Sequence, residues 1–176
     1  CRTFRRRRKQ RGASNGRRRP TPPTRCIPLP DAQRIVAVRR QLLERGYSAL
    51  HASALSKAAL LGAIVGVHVG QWASEFGSVL LGTPAGRSVY ASTGFSGSVT
   101  CGRVSFTLGL QGPCASYDTA CSASLVANHG SMRALQRVEC ASALSAGVNM
   151  ILEPAAMCGN AVAGFTSVKG RSHTFD

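Results

Sequence analysis

Acidic side chains are scarce in this chain: 7 Asp and Glu stand against 22 Lys and Arg in 176 residues, and residues 1–25 contain none. Aromatic residues make up only 6% of the sequence, with a single Trp. Long apolar runs are missing as well. The longest, Ala58 to Val67, falls well short of the roughly 18 residues a spanning helix needs, so no membrane partner is expected. No charged start leads into an apolar core as in a secretory signal. No CxxC pair, zinc spacing or paired carboxylates occur, and no glycine-rich loop ends in Gly-Lys-Ser or Gly-Lys-Thr. Gly94-Phe95-Ser96-Gly97-Ser98 does not satisfy Gly-x-Ser-x-Gly, which excludes the α/β-hydrolase elbow. Metal centres, P-loop nucleotide chemistry and serine hydrolysis therefore have no footing.

The basic charge is concentrated at one end. Residues 1–25 carry 11 of the 22 basic side chains, leaving 11 basic and 7 acidic side chains for residues 26–176. Together with Pro20, Pro22, Pro23, Pro28 and Pro30, this sets off residues 1–30 as a disordered basic arm and residues 31–176 as the folded part. The arm admits several readings: a solvated tail or a sequence foreign to the domain, an organelle transit leader, or a nuclear or nucleic-acid-binding segment. It lacks aromatic interleaving beyond Phe4, so nucleic acid is not the expected partner. The chain opens on Cys1 and stops at Asp176, which reads as part of a longer sequence.

Seven cysteines, an odd number, argue against a disulfide scaffold and for reduced thiols in a reducing, cytoplasmic compartment. Cys101, Cys114, Cys140 and Cys158 lie in apolar or small-residue contexts and are expected to be small core residues.

Periodicity predicts a helix over 31–50, N-capped by Asp31, with Ile35, Val38, Leu42, Leu43, Tyr47 and Leu50 forming its apolar stripe. A buried strand is expected over 63–69, loop with some helix over 70–86 and a short strand over 88–92. A second helix is expected over 97–110 with Val99, Arg103, Phe106 and Leu110 on one face. A strand over 114–118, a helix from Ser122 to Arg137 and a strand over 142–149 ended by Pro154 complete the series. Strand and helix alternate, which is the grammar of a largely parallel sheet covered by helices on both faces.

Within that frame, Asp118-Thr119-Ala120-Cys121-Ser122-Ala123-Ser124 places one cysteine where a strand hands over to a helix. Unpaired N–H groups and the positive end of the helix dipole favour thiolate there and can hold negative charge on an acyl oxygen. The small residues after it leave room for a long substrate. Cys121 is accordingly the candidate nucleophile for acyl transfer. Asp118 and Thr119 are candidates for ordering the turn, and Asn149 is read as a backbone-bonding group at a strand end.

This string resembles the active-site signature of β-ketoacyl synthases, in particular the ketosynthase domains of modular polyketide synthases. The segment from Gly102 to Pro113 is similar to the run into the family's active-site strand. Ala146-Gly147-Val148-Asn149 with Pro154, Gly170-Arg171 with Thr174-Phe175-Asp176, Asp31-Ala32-Gln33-Arg34 with Leu42-Leu43-Glu44, and Gly66-Val67-His68-Val69-Gly70 are also similar to family segments. The resemblance implies the first half of a thiolase-like fold. It implies decarboxylative Claisen condensation through an acyl-Cys121 thioester, with Asp118, Thr119, Ala120, Ser122 and Ser124 supporting the turn and substrate. It further implies phosphopantetheine-linked acyl and malonyl substrates on an acyl carrier protein, a homodimer of the full domain, and no bound cofactor or metal. The family's histidines stand in His-Gly-Thr-Gly-Thr and Asn-x-Gly-His motifs, whereas His51, His68, His129 and His173 stand in neither, so none receives a catalytic role. Two alternatives remain open at this level: a thiolase-like non-decarboxylative acyltransferase, and a basic nucleic-acid-binding protein on a degenerate synthase core.

Overall fold

The computed structural model of the chain describes residues 37–72, 75–82, 84–87, 93–94, 96–173 and 175. Asp31, Ile35 and the strand expected over 88–92 lie outside them. Along the chain come α1 (Ala37–Ala52), α2 (Lys57–Leu60), β1 (Val65–Gln71), α3 (Glu75–Leu81), α4 (Thr100–Leu108), β2 (Cys114–Tyr117), α5 (Ala123–Gln136), β3 (Ser142–Val148) and α6 (Pro154–Val162). Short 3-10 turns at Pro84–Arg87, Gly97–Val99 and Ala120–Ser122 precede or link them. No helix among the described residues is long and apolar enough to cross a membrane.

The three strands form one parallel sheet in the order β2-β1-β3. The connection from β2 through α5 to β3 therefore steps over β1, which lays α5 across the middle strand. Alternation along β1 sorts the two faces. Val65, Val67 and Val69 enter a core with Leu42 and Leu50 of α1, Leu60 of α2 and Cys101 and Val104 of α4. Gly66, His68 and Gly70 turn to the other face, under α5. Helices thus cover both faces as expected, and β1 is a near-continuous apolar run because neither side meets water. Leu60, Val67, Val69 and Val104 are completely buried. Each contributes roughly 1.5–3 kcal/mol of transfer free energy.

The stripe predicted for the first helix is present: Leu42 and Leu50 are buried, and Val38, Leu43 and Tyr47 pack against the core. Arg39 is buried on this helix too. Its guanidinium donates to the Thr93 carbonyl and, at 2.7 Å, to the Ser96 carbonyl, tying α1 to the segment that enters α4. Burial and then the charge of Arg103 lower its pKa from the ordinary value.

Three expectations need correction. The buried face of α4 is Thr100, Cys101, Val104 and Ser105, while Arg103 is exposed and Phe106 is 73% exposed. Small residues take that face because α4 lies close on β2, with the Cys101 amide 3.4 Å from Ser116 Oγ. Cys114 and Cys158 are exposed, and only Cys101 and Cys140 of the four are core thiols. Pro154 does not end a strand. It opens α6 as the first helical residue, where its missing N–H costs nothing. The backbone ahead of that helix is held by Glu75, whose Oε2 accepts from the Leu152 amide at 2.6 Å and the Glu153 amide at 2.8 Å.

His68 sits inside the sheet–α5 layer, 5% exposed. Its ring stacks on Tyr117, and Nδ1 lies 3.0 Å from the Tyr117 hydroxyl. Gly130 of α5 makes room for both: a Cβ there would stand 2.3 Å from that hydroxyl and 3.0 Å from His68 Nδ1. Burial lowers the His68 pKa, and the nearby negative charge of Glu139 only partly opposes this. With a lowered folded value, the unfolded chain binds the proton more readily. The stability from neutral His68 is then complete above the ordinary histidine pKa of about 6.5 and is lost as pH falls from there through the lowered folded value. Urea midpoints of the parent chain and of His68→Gln, taken across pH 5–8 (about the range in which histidine titrates), should show a fall on the acid side that the variant lacks. Parallel pH profiles would refute this assignment.

Candidate active site

In a parallel sheet the segments that leave all three strands emerge at one edge. β2 delivers Asp118 to that edge, and the chain must turn there to climb onto α5. The turn is built by its own polar groups. Asp118 Oδ1 accepts from the Ala120 amide at 3.1 Å, closing an Asx-type turn. The Ser122 hydroxyl donates to the Thr119 carbonyl at 2.8 Å and lies 2.9 Å from Thr119 Oγ1. Between them Ala120 adopts φ 52°. For an L-residue this left-handed conformation costs about 1–2 kcal/mol, against which the three side-chain bonds must act.

Cys121 follows this strained residue in the 3-10 turn Ala120–Ser122, and it is exposed. α5 proper begins at Ala123, one residue later than expected, so Cys121 stands in the turn that leads into the helix rather than in the helix itself. The Ala123 amide donates to the Ala120 carbonyl and the Ser122 amide to the Thr119 carbonyl at 3.3 Å. Ser122 does not cap α5, its hydroxyl being turned back to Thr119.

The seat of this turn lies in two glycines not marked as site residues by the sequence reading. Gly70 and Gly147 are register partners on β1 and β3, next to each other on the α5 face. A Cβ at Gly70 would lie 2.3 Å from the Ala123 carbonyl and 2.5 Å from the Ser124 amide nitrogen. A Cβ at Gly147 would lie 2.4 Å from Ser124 Cβ. Backbone of α5 therefore rests directly on backbone of the sheet. Glycine at the end of an apolar strand was the available signal, since interior strand glycine often marks a close backbone approach.

The named residues therefore divide by role. Asp118, Thr119, Ala120, Cys121 and Ser122 are brought together in one turn, and Ser124 packs its Cβ over Gly147. Asn149 is exposed one residue beyond β3. His129 is exposed on α5, and His68 is engaged with Tyr117 below that helix. Among the described residues no three His, Cys, Asp or Glu side chains converge as a metal site would require.

A parallel α/β sheet with a cysteine turn at its carboxyl edge, seated on paired glycines, is the frame of a thiolase-like enzyme half. Comparison with known proteins narrows this. The model of the β-ketoacyl synthase N-terminal domain matches residues 3–176, a span that starts inside the segment read as a basic arm. The chain is 39% identical over 137 residues to the polyketide synthase GfsB of Streptomyces halstedii, covering 78% of this chain and 2% of that protein. It is 37% identical over 146 residues to a mycocerosic acid synthase-like polyketide synthase of Mycolicibacterium smegmatis, covering 83% of this chain and 7% of that protein. Among solved structures, the ketosynthase from module 6 of the bacillaene synthase of Bacillus subtilis superposes with a TM-score of 0.72 at 30% identity, covering 83% of this chain and 24% of that one. The chain belongs to the β-ketoacyl synthase family and represents part of its N-terminal domain. It spans only a small fraction of the relatives it matches.

The glycine seat yields a test. Gly70→Ala must move main chain at the start of α5, a displacement that typically costs about 1–3 kcal/mol or more in a packed interior. The variant should unfold at lower urea concentration and should also change the iodoacetamide rate at Cys121, read by peptide mapping. Both quantities unchanged would mean that the contact does not position the turn.

Proposed function

We propose that Cys121 is the nucleophile of an acyl-transfer step in decarboxylative Claisen condensation of thioesters. The observation that carries this is the turn itself. An exposed thiol follows a residue held left-handed, on a helix start that cannot shift because it rests on glycine backbone. Such a turn presents sulfur outward while fixing its direction, as covalent catalysis requires. Membership of the β-ketoacyl synthase family supports the same reading.

In this reading an acyl group on the phosphopantetheine of an acyl carrier protein passes to Cys121. The thiolate adds to the thioester carbonyl, the carrier thiol leaves with a proton, and an acyl-Cys121 thioester remains. A malonyl-type extender then loses carbon dioxide, and its enolate attacks this thioester, expelling the Cys121 thiolate and giving a β-ketoacyl product two carbons longer. The Cys121 amide supplies part of the stabilisation of the oxyanion. Asp118, Thr119 and Ser122 hold the turn, and Ser124 holds the helix start to β3. No cofactor beyond the carrier-linked substrates is required. The carrier protein is the partner, and the full domain works as a homodimer.

The two half-reactions should separate in this chain. Self-acylation needs only a thiolate and a leaving thiol. Decarboxylation also needs acid–base and oxyanion groups, each of which supplies a factor of about a hundred or more. None of the four histidines stands in a family motif. Incubation with a radiolabelled acyl thioester should label Cys121 slowly, and Cys121→Ala should remove the label. Malonyl carrier protein should release no carbon dioxide. Labelling first at Cys158, the exposed thiol of α6, would overturn the assignment of the nucleophile. Decarboxylation abolished by Cys121→Ala would instead place the missing acid–base function on a histidine of this chain.

A further inference from the structure

We infer that Cys101 and Cys114 form a dithiol that oxidises reversibly to a disulfide, a modification site separate from the Cys121 turn. Both residues come from elements already fixed against each other. Cys114 opens β2 and pairs in register with Val67, so its side chain lies on the sheet face that α4 covers. Cys101 lies in the first turn of α4, with its amide 3.4 Å from the hydroxyl of Ser116, the neighbour of Cys114 on the same face of the strand. Ser105, one turn further along α4, is buried on the same side as Cys101. Cys101 thus lies beside Cys114 across the α4–β2 packing, near enough to act on its titration. Cys101 is buried and Cys114 is exposed. One sulfur can therefore meet a reagent from solvent while the other waits behind it, the arrangement of an attacking and a resolving thiol.

The step balances with a two-electron thiol oxidant such as the azo compound diamide. The Cys114 thiolate adds to one azo nitrogen, and the Cys101 sulfur then displaces the hydrazine from Cys114. Two S–H bonds are lost and one S–S bond forms. Two electrons and two protons end on the azo bond, which leaves as the hydrazine. Burial, and then the adjacent Cys101, push the Cys114 thiol above its ordinary value, so the pair resists casual alkylation and oxidation is best driven on the alkaline side. The product would staple α4 to β2, the strand that runs into Asp118 and the turn.

The full chain, treated with diamide at about pH 8.5, near the ordinary cysteine pKa, is blocked with N-ethylmaleimide and digested with trypsin and chymotrypsin. Cleavage after Arg103 separates Cys101 from Cys114, and cleavage after Tyr117 separates Cys114 from Cys121. A Cys101–Cys114 linked peptide should exceed every other cysteine pairing about tenfold, disappear with dithiothreitol, and fall to the level of the other pairings when oxidation is done in urea. Cys114→Ser, at an exposed position, should leave Cys101 unpaired and still shielded from N-ethylmaleimide until the chain is unfolded. The inference fails if Cys101 stays a free thiol while Cys114 is oxidised or paired elsewhere. It fails equally if native and urea-treated chains give the same distribution of pairs.

Discussion

The site depends on a backbone-to-backbone contact. Crossing from β2 to β3 obliges α5 to pass over β1, and at that crossing Gly70 lets the Ala123 and Ser124 main chain come down onto the strand. Glycine in a strand interior sacrifices packing and costs conformational entropy. Here it removes the spacer that would lift the helix. The start of α5 takes its height from this contact, and the chain reaches it from Asp118 through Ala120 at positive φ.

The same economy of space recurs deeper in the layer. Gly130 admits the stacked His68 and Tyr117 rings under α5, so a polar pair occupies what would otherwise be an aliphatic layer. On the opposite face the described helices meet the sheet mainly through Leu, Val and small residues. At the edge, Glu75 joins the segment after β1 to the segment after β3 by taking two amides on one carboxylate oxygen. Three post-strand segments are thereby constrained by different means: a hydrogen-bonded turn after β2, a carboxylate clamp between the other two, and glycine contact beneath.

Much of this was legible in the sequence because periodicity and local chemistry agree. The alternation in Val65–Val69, the helical stripe of Leu42 and Leu50, and the Asp-Thr-Ala-Cys-Ser string each report a local requirement. What escaped depended on partners far away in the chain. The exposed Phe106 is a large apolar residue at helical spacing, and only the closeness of α4 to β2 shows why small Cys101 and Ser105 face inward instead. Pro154 carries the same letter whether it stops a strand or starts a helix. The clamp from Glu75, 77 residues earlier, shows which applies. Gly147 reads as an ordinary strand glycine and Gly70 as the start of a loop, until β1 runs on to Gln71 and the register pairs the two beneath one helix turn.

The two glycines are not equivalent in what could replace them. A methyl at Gly147 would collide with the Cβ of Ser124, a side chain, whereas one at Gly70 would collide with carbonyl and amide atoms. The first conflict can be relieved by a second substitution, since glycine at Ser124 removes the opposing atom. Substitutions at those two positions should therefore be strongly non-additive. The second conflict has no side-chain remedy, because main chain cannot be mutated away. A lineage could exchange bulk between Gly147 and Ser124 and keep the turn in place, but at Gly70 no such compensating route exists.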